Sequence, residues 1–149
     1  MSASPFLDQP NYRYEDVQLG MKKGHKYIIT PEVFACFLKA FEDRSPIHVD
    51  EAYAQECGFL GKVMHGAILN GFLSHFIGMY FPGRASLLLS SDLRFVQPSY
   101  LGDVIYLETV VAQKLDVHKV IVLDATFQNK TRDCLAARGR IQIKLRIES

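Results

Sequence analysis

From about residue 85 the apolar positions recur every second residue, whereas earlier they recur at helical spacing. This switch divides the chain into a helical half and a sheet half. In the last segment Ala137, Gly139, Ile141, Ile143, Leu145 and Ile147 alternate strictly with Arg138, Arg140, Gln142, Lys144 and Arg146, the pattern of a strand with one face on a core and the other in water. Residues 87–96, closed by Pro98, predict another strand. Two more are predicted at residues 104–113, after the turn at Gly102 and Asp103, and at 119–127, before a polar turn at 129–133. A β-prone run at residues 26–30 predicts one further strand.

In the helical half, Thr30 followed by Pro31 and Glu32 matches an N-cap with proline at the first helical position, and Val33, Phe34, Phe37, Leu38 and Phe41 recur on one face. Pro46 cannot continue that helix and disfavours the αR region at Ser45, so residues 43–48 form a turn. Asp50 caps a short second helix over residues 50–57 that Gly58 ends, and residues 59–64 are connecting loop. The helix beginning at Gly66 is apolar nearly all round, with Ile68, Leu69, Phe72, Leu73, Phe76, Ile77 and Met79, and is expected to be central and buried on most sides. Its small residues Ala67, Gly71, Ser74 and Gly78 form one stripe. An interior glycine costs about 1 kcal/mol against alanine, so something approaches that stripe closely: either the sheet or a threaded ligand chain. The class is α+β, a bent antiparallel sheet of about five strands against one buried helix. Its exposed edge strands favour edge-to-edge dimerisation.

A length of 149 residues suits one domain, with residues 1–13 expected as a loosely held arm and 14–149 as the domain. The formal net charge of +1, with basic and acidic residues interleaved, argues against a nucleic-acid partner. Cys36, Cys57 and Cys134 are odd in number and widely separated, and are expected as buried small hydrophobes in a reducing compartment. Residues 1–15 carry no signal or transit pattern. The most apolar stretch, residues 67–81, is interrupted by polar and small residues and is shorter than the roughly 20 apolar residues a bilayer requires. A cytoplasmic protein with no membrane partner is therefore expected.

The chemistry concentrates at the proline turn. Asp43 and His48 stand five residues apart across Pro46, where a carboxylate and an imidazole can fold together and deprotonate a water. His65, just before Gly66, can orient the loop or touch a substrate. One residue between His48 and Asp50 fits no strong zinc spacing, so neither a metal nor another cofactor is expected. His25, His75 and His118 carry no such context, and Arg44, Lys62, Arg84 and Arg94 are scattered cations that can meet phosphates.

The segment from Phe41 to Ala54 with its Asp43-x-x-Pro46-x-His48 spacing, then Met64, His65 and Gly66, then Phe95 to Pro98, then Gly102 and Asp103, resembles the MaoC-like (R)-specific enoyl-thioester hydratases and the mitochondrial-type 3-hydroxyacyl-thioester dehydratases. The resemblance runs from about residue 14 to the C-terminus. It implies a hot-dog fold, a five-stranded sheet wrapped around a helix and usually paired into a homodimer, acting on acyl-CoA or acyl-carrier-protein thioesters. Carried over, Asp43 and His48 match the pair that holds the catalytic water, and Gly66 matches the backbone N–H that faces the thioester carbonyl. Ser45, His65, Asn70, Gly71 and Ser74 are the expected substrate-binding residues. Glu42 and Ser45 depart from the glycine and asparagine usual at those places, and Gly71 stands where some members carry serine. The implied activity is interconversion of trans-2-enoyl and (R)-3-hydroxyacyl thioesters. A hot-dog thioesterase and a non-catalytic acyl-thioester-binding domain are the alternatives.

Overall fold

The computed structural model describes residues 9–146. Helix α1, Pro31–Phe41, starts as expected: Thr30 Oγ1 accepts the Val33 N–H at 3.1 Å and Pro31 opens the first turn. It ends where Glu42 enters the left-handed region at φ 55°, its N–H on the Leu38 carbonyl. The expected turn is partly helical, since Pro46 pre-sets φ for a single turn, α2, Pro46–Val49, that includes His48. Asp50 then caps α3, Glu51–Glu56, by accepting the Tyr53 N–H at 3.0 Å. The long helix α4 spans Ala67–Met79 with Gly66 as its N-cap.

The strands are β1, Lys22–Ile28; β2, Ser86–Phe95; β3, Val104–Leu115; β4, Val120–Asn129; and β5, Cys134–Leu145. Among the described residues they form one antiparallel sheet in the order β1-β3-β4-β5-β2. The alternation along β5 holds in the fold, with Ile141, Ile143 and Leu145 buried and Arg140, Gln142 and Lys144 exposed; Ile147 lies outside the described residues. At Gly139 the sheet tolerates no side chain, because an added Cβ would fall 1.8 Å from the Asp92 carbonyl oxygen of β2.

Helix α4 sets Ile68, Leu69, Phe72, Leu73, Phe76 and Ile77 into the sheet's concave face, against Leu107, Ile121, Leu123, Phe127, Ile141 and Ile143. The helix is not enclosed on its remaining side, contrary to the expectation from its composition. Ala67, Gly71, Ser74, His75 and Met79 are exposed, and a Cβ added at Gly71 or Gly78 would meet nothing within 4 Å. The sheet curls around one side of α4 only, and the small-residue stripe faces away from it. The expectation of buried cysteines also fails. Cys36 on α1 and Cys57 after α3 are exposed and Cys134 is half-buried, because the short helices that carry the first two lie on the surface; all three are free thiols.

Two further features fix the frame. The expected arm falls partly outside the described residues, but where it enters them it is pinned: the Tyr12 N–H donates to the Pro82 carbonyl at 2.9 Å and the Tyr12 ring meets Phe81 edge-on at 5.1 Å. At the turn into β3, Asp103 is only 1% exposed. Its carboxylate accepts from Arg132 Nε at 2.9 Å, Asn129 Nδ2 at 2.7 Å and the Tyr100 N–H at 2.9 Å, tying the start of β3 to the β4–β5 turn. Among the described residues no helix is long and apolar enough to cross a membrane.

Candidate active site

The loop that carries Asp43 begins at the αL residue that ends α1. Left-handed backbone costs an L-residue about 1–2 kcal/mol, and Glu42 adopts it at φ 55° and ψ 20°. Glu42 therefore occupies a conformation natural to glycine, and the loop keeps its path without one. Glu42→Gly is expected to raise the midpoint of thermal unfolding by about 2–4 °C, corresponding to about 1 kcal/mol, while leaving turnover unchanged. A lower midpoint would mean that the Glu42 side chain contributes more than its backbone costs.

Beyond Glu42 the chain makes an Asx turn, with the Ser45 N–H donating to Asp43 Oδ1 at 3.2 Å. His48 sits in α2 with its Nδ1 2.6 Å from the Val63 carbonyl oxygen. A carbonyl can only accept, so Nδ1 carries the proton and Nε2 holds the ring's free lone pair. The His65 Nε2 lies 2.9 Å from the Asp43 carbonyl oxygen and 3.8 Å from Asp43 Oδ2. Ligand-capable atoms of Asp43, His48 and His65 all lie within 4.8 Å of one another. The proline turn thus brings the two sequence candidates together and adds His65 from the head of α4. Two imidazoles and a carboxylate can hold a divalent ion, and with His48 Nδ1 and His65 Nε2 donating to carbonyls the ring lone pairs are those of His48 Nε2 and His65 Nδ1. His65 Nδ1 is buried, and the exposed Asp43 carboxylate with the His48 imidazole is a pair chemically able to move a proton.

Gly66 opens α4 beside this cluster, at the end of the helix that carries partial positive charge; within the first turn the Ile68 and Leu69 N–H groups donate to the His65 and Gly66 carbonyls. A Cβ at Gly66 would come within 3.0 Å of the Phe95 ring, so the N–H is bordered by β2 on one side. A groove of about 700 Å³ lies between α1 and α4, beginning one residue beyond Gly66 at Ala67 and lined also by Val33, Phe37, Phe41, Gly71 and Phe72 among others, while Gly66 and His65 themselves line a separate pocket of about 280 Å³ with Phe95, Val96 and Ser99. This groove lies on the small-residue stripe. What Gly71 leaves room for is open space between α1 and α4, and of the two occupants considered for the stripe the sheet is ruled out, since a Cβ at Gly71 or Gly78 meets nothing within 4 Å.

Of the five expected substrate-binding residues, Gly71 and Asn70 line the groove and Ser74 is exposed on the same side of α4. Asn70 Oδ1 is engaged by the Ser91 hydroxyl at 2.8 Å, which ties α4 to β2. Ser45 is exposed in the loop that carries Asp43, and its N–H is used by Asp43. His65 is 4% exposed. The α1 wall of the groove, Val33, Phe37 and Phe41, was legible only as an apolar helix face, which a sequence reader assigns to the core. Of the remaining histidines, His75 Nδ1 lies 3.0 Å from the Tyr27 hydroxyl and His25 stacks on Tyr80 at 4.1 Å. Burial and the nearby His75 hold the His25 imidazole below its usual pKa.

The MaoC-like domain model matches residues 17–132, most of the chain, including every residue of this cluster. The chain belongs to the MaoC-like family. It is 29% identical to a 3-hydroxybutyryl-CoA dehydratase of Methylorubrum extorquens over 100 residues, 67% of this chain and 64% of that relative. It is also 29% identical to an (R)-specific enoyl-CoA hydratase of Aeromonas caviae over 111 residues, 74% of this chain and 82% of that protein. Among solved structures, the unliganded R-hydratase PhaJ1 of Pseudomonas aeruginosa superposes with a TM-score of 0.84 at 27% identity, covering 93% of this chain and 88% of the other. This MaoC-like protein therefore has the hot-dog architecture, with its open groove and polar cluster at the head of the central helix.

Proposed function

We propose that this MaoC-like protein is a hydro-lyase interconverting trans-2-enoyl and (R)-3-hydroxyacyl thioesters of CoA or an acyl carrier protein in the cytoplasm. The observation that carries the reading is the head of α4: Asp43, His48 and His65 cluster within 4.8 Å just before Gly66, and the apolar groove begins at the next residue, Ala67. The thioester carbonyl rests on the Gly66 N–H, which stabilises the enolate-like oxygen as it develops. The acyl chain lies along α4 over Gly71, where no side chain obstructs it. A water held by Asp43 and His48 adds its oxygen to Cβ; one of its protons passes to the pair and a proton from the pair goes to Cα. The His48 Nε2 lone pair is placed to accept the first. The names of the family's relatives, a dehydratase and a hydratase of thioesters, support the same chemistry.

In a single chain the Asp43 side chain is 51% exposed, which is poor shelter for a polarised intermediate. The edge strand β2 is correspondingly unfinished: among the described residues it has no neighbour beyond β5, and Leu87, Leu88, Leu89 and Phe95 are exposed along it, with Val96 just after it. An uncovered apolar edge strand invites pairing, so a second copy joined along β2 is the expected assembly. Light scattering should give about twice the 16.9 kDa chain mass, and a monomeric mass would refute the pairing.

The deciding experiment follows loss of the conjugated thioester absorbance with crotonyl-CoA and a longer trans-2-enoyl-CoA, with chiral analysis of the product. The expected result is an (R)-3-hydroxyacyl thioester with the thioester intact. Release of free thiol would point instead to a thioesterase, and no reaction with CoA or carrier-protein substrates would sink the hydro-lyase reading.

A further inference from the structure

The His65 ring touches both members of the dyad and is almost wholly removed from water. It is 4% exposed and enclosed between two rings, His48 at a centroid distance of 3.9 Å and Phe37 at 4.5 Å. Its Nε2 faces the Asp43 carbonyl at 2.9 Å and therefore carries the proton, while its Nδ1 is sealed from water with no hydrogen-bond partner among the described residues. A fully buried polar ring with one committed nitrogen and one orphan costs stability. A phenylalanine or leucine would fill the same space at no such cost, so packing does not account for a histidine at this position.

The hydrogen bond lands on the peptide of Asp43, between the αL residue Glu42 and the Asx turn that ends at Ser45. That peptide sets the direction in which the carboxylate leaves the loop. The opposite constraint, the ring face, bears on His48, whose own Nδ1 is tied to Val63 two residues before His65. One side chain thus fixes the carboxylate through its backbone and the imidazole through its plane.

We infer that His65 is a positioning residue for the proposed hydration: in its Nε2–H tautomer it holds Asp43 and His48 at the separation that shares one water. The inference rests on the reading of those two residues as the dyad. A displacement of about 1 Å in reacting groups can cost about 10²-fold in rate, which sets the expected effect.

His65→Leu, which keeps apolar packing and removes the donor, is expected to lower kcat about 100-fold with KM within about threefold of wild type. His65→Gln places an amide nitrogen near the Nε2 position and is expected to recover at least tenfold of that loss. His65→Asn, too short to reach, is not. A folded His65→Leu variant with kcat within threefold of wild type would overturn the inference. Should the leucine variant fail to fold, the glutamine and asparagine variants decide, and equal kcat at equal thermal stability would overturn it. Nitrogen-15 spectra of histidine-labelled wild type, assigned with His65→Gln, provide a readout independent of activity. A protonated Nε2 with bare Nδ1 at position 65 is expected, and the opposite tautomer refutes the brace. Wild-type protein inactive on every thioester would instead overturn the hydro-lyase reading itself, leaving the tautomer result to stand separately.

Discussion

Replacing His48 or Asp43 by alanine is expected to lower kcat for hydration of a trans-2-enoyl thioester by about 10²–10⁴-fold, the usual contribution of a positioned acid or base. Neither change should unfold the protein. Asp43 is half-exposed and its carboxylate accepts one loop N–H, and His48 is tied down by a single bond to the Val63 carbonyl. Losing such contacts costs about 1 kcal/mol each, small beside the stability of a domain. Two groups that hold one water act as a unit, so the double variant should be little slower than the worse single variant. Steady-state rates with circular dichroism on the same preparations check both points. A folded Asp43→Ala or His48→Ala variant within tenfold of wild type would remove that residue from the chemistry.

Asp103→Ala should show the converse, a large loss of stability from a residue whose carboxylate bonds to neither Asp43 nor His48. Its carboxylate is the common acceptor for Arg132, Asn129 and the Tyr100 N–H. Breaking a buried ion pair by removing one partner typically costs 3–5 kcal/mol. Arg132 is 32% exposed and regains some hydration, which favours the lower end. About 3 kcal/mol corresponds to roughly 10 °C in the unfolding midpoint of a chain of this size. Asp103→Asn retains an acceptor for the Tyr100 N–H and loses the charge facing Arg132, and should fall between wild type and alanine. A midpoint within 2–3 °C of wild type for the alanine variant would show that water replaces the carboxylate freely.

These three residues were legible to different degrees. Asp43 and His48 stood out because a proline between a carboxylate and an imidazole forces a turn, and the turn does bring them together. Asp103 read as turn punctuation beside Gly102. Its burial depends on Arg132 and Asn129, which lie 29 and 26 residues away in sequence and adjoin it only once β3 and β4 pair. His65 shows the same division. Its position before the helix was visible, but its hydrogen bond to the Asp43 backbone spans 22 residues.

Local pattern determined the strands and the longer helices, the N-caps at Thr30 and Asp50, the inward face of β5 and the place of the proline turn, because period, capping and proline restriction act within a few residues. Tertiary structure decided which apolar faces were covered. The composition of α4 and the face of α1 both suggested burial, yet the sheet wraps α4 on one side only and α1 stands off from it, leaving Gly71, Phe37 and Phe41 around an open groove. Hydrophobicity drives a residue out of water without specifying what covers it. That is settled by the curvature of a sheet whose pairings join residues far apart in the chain.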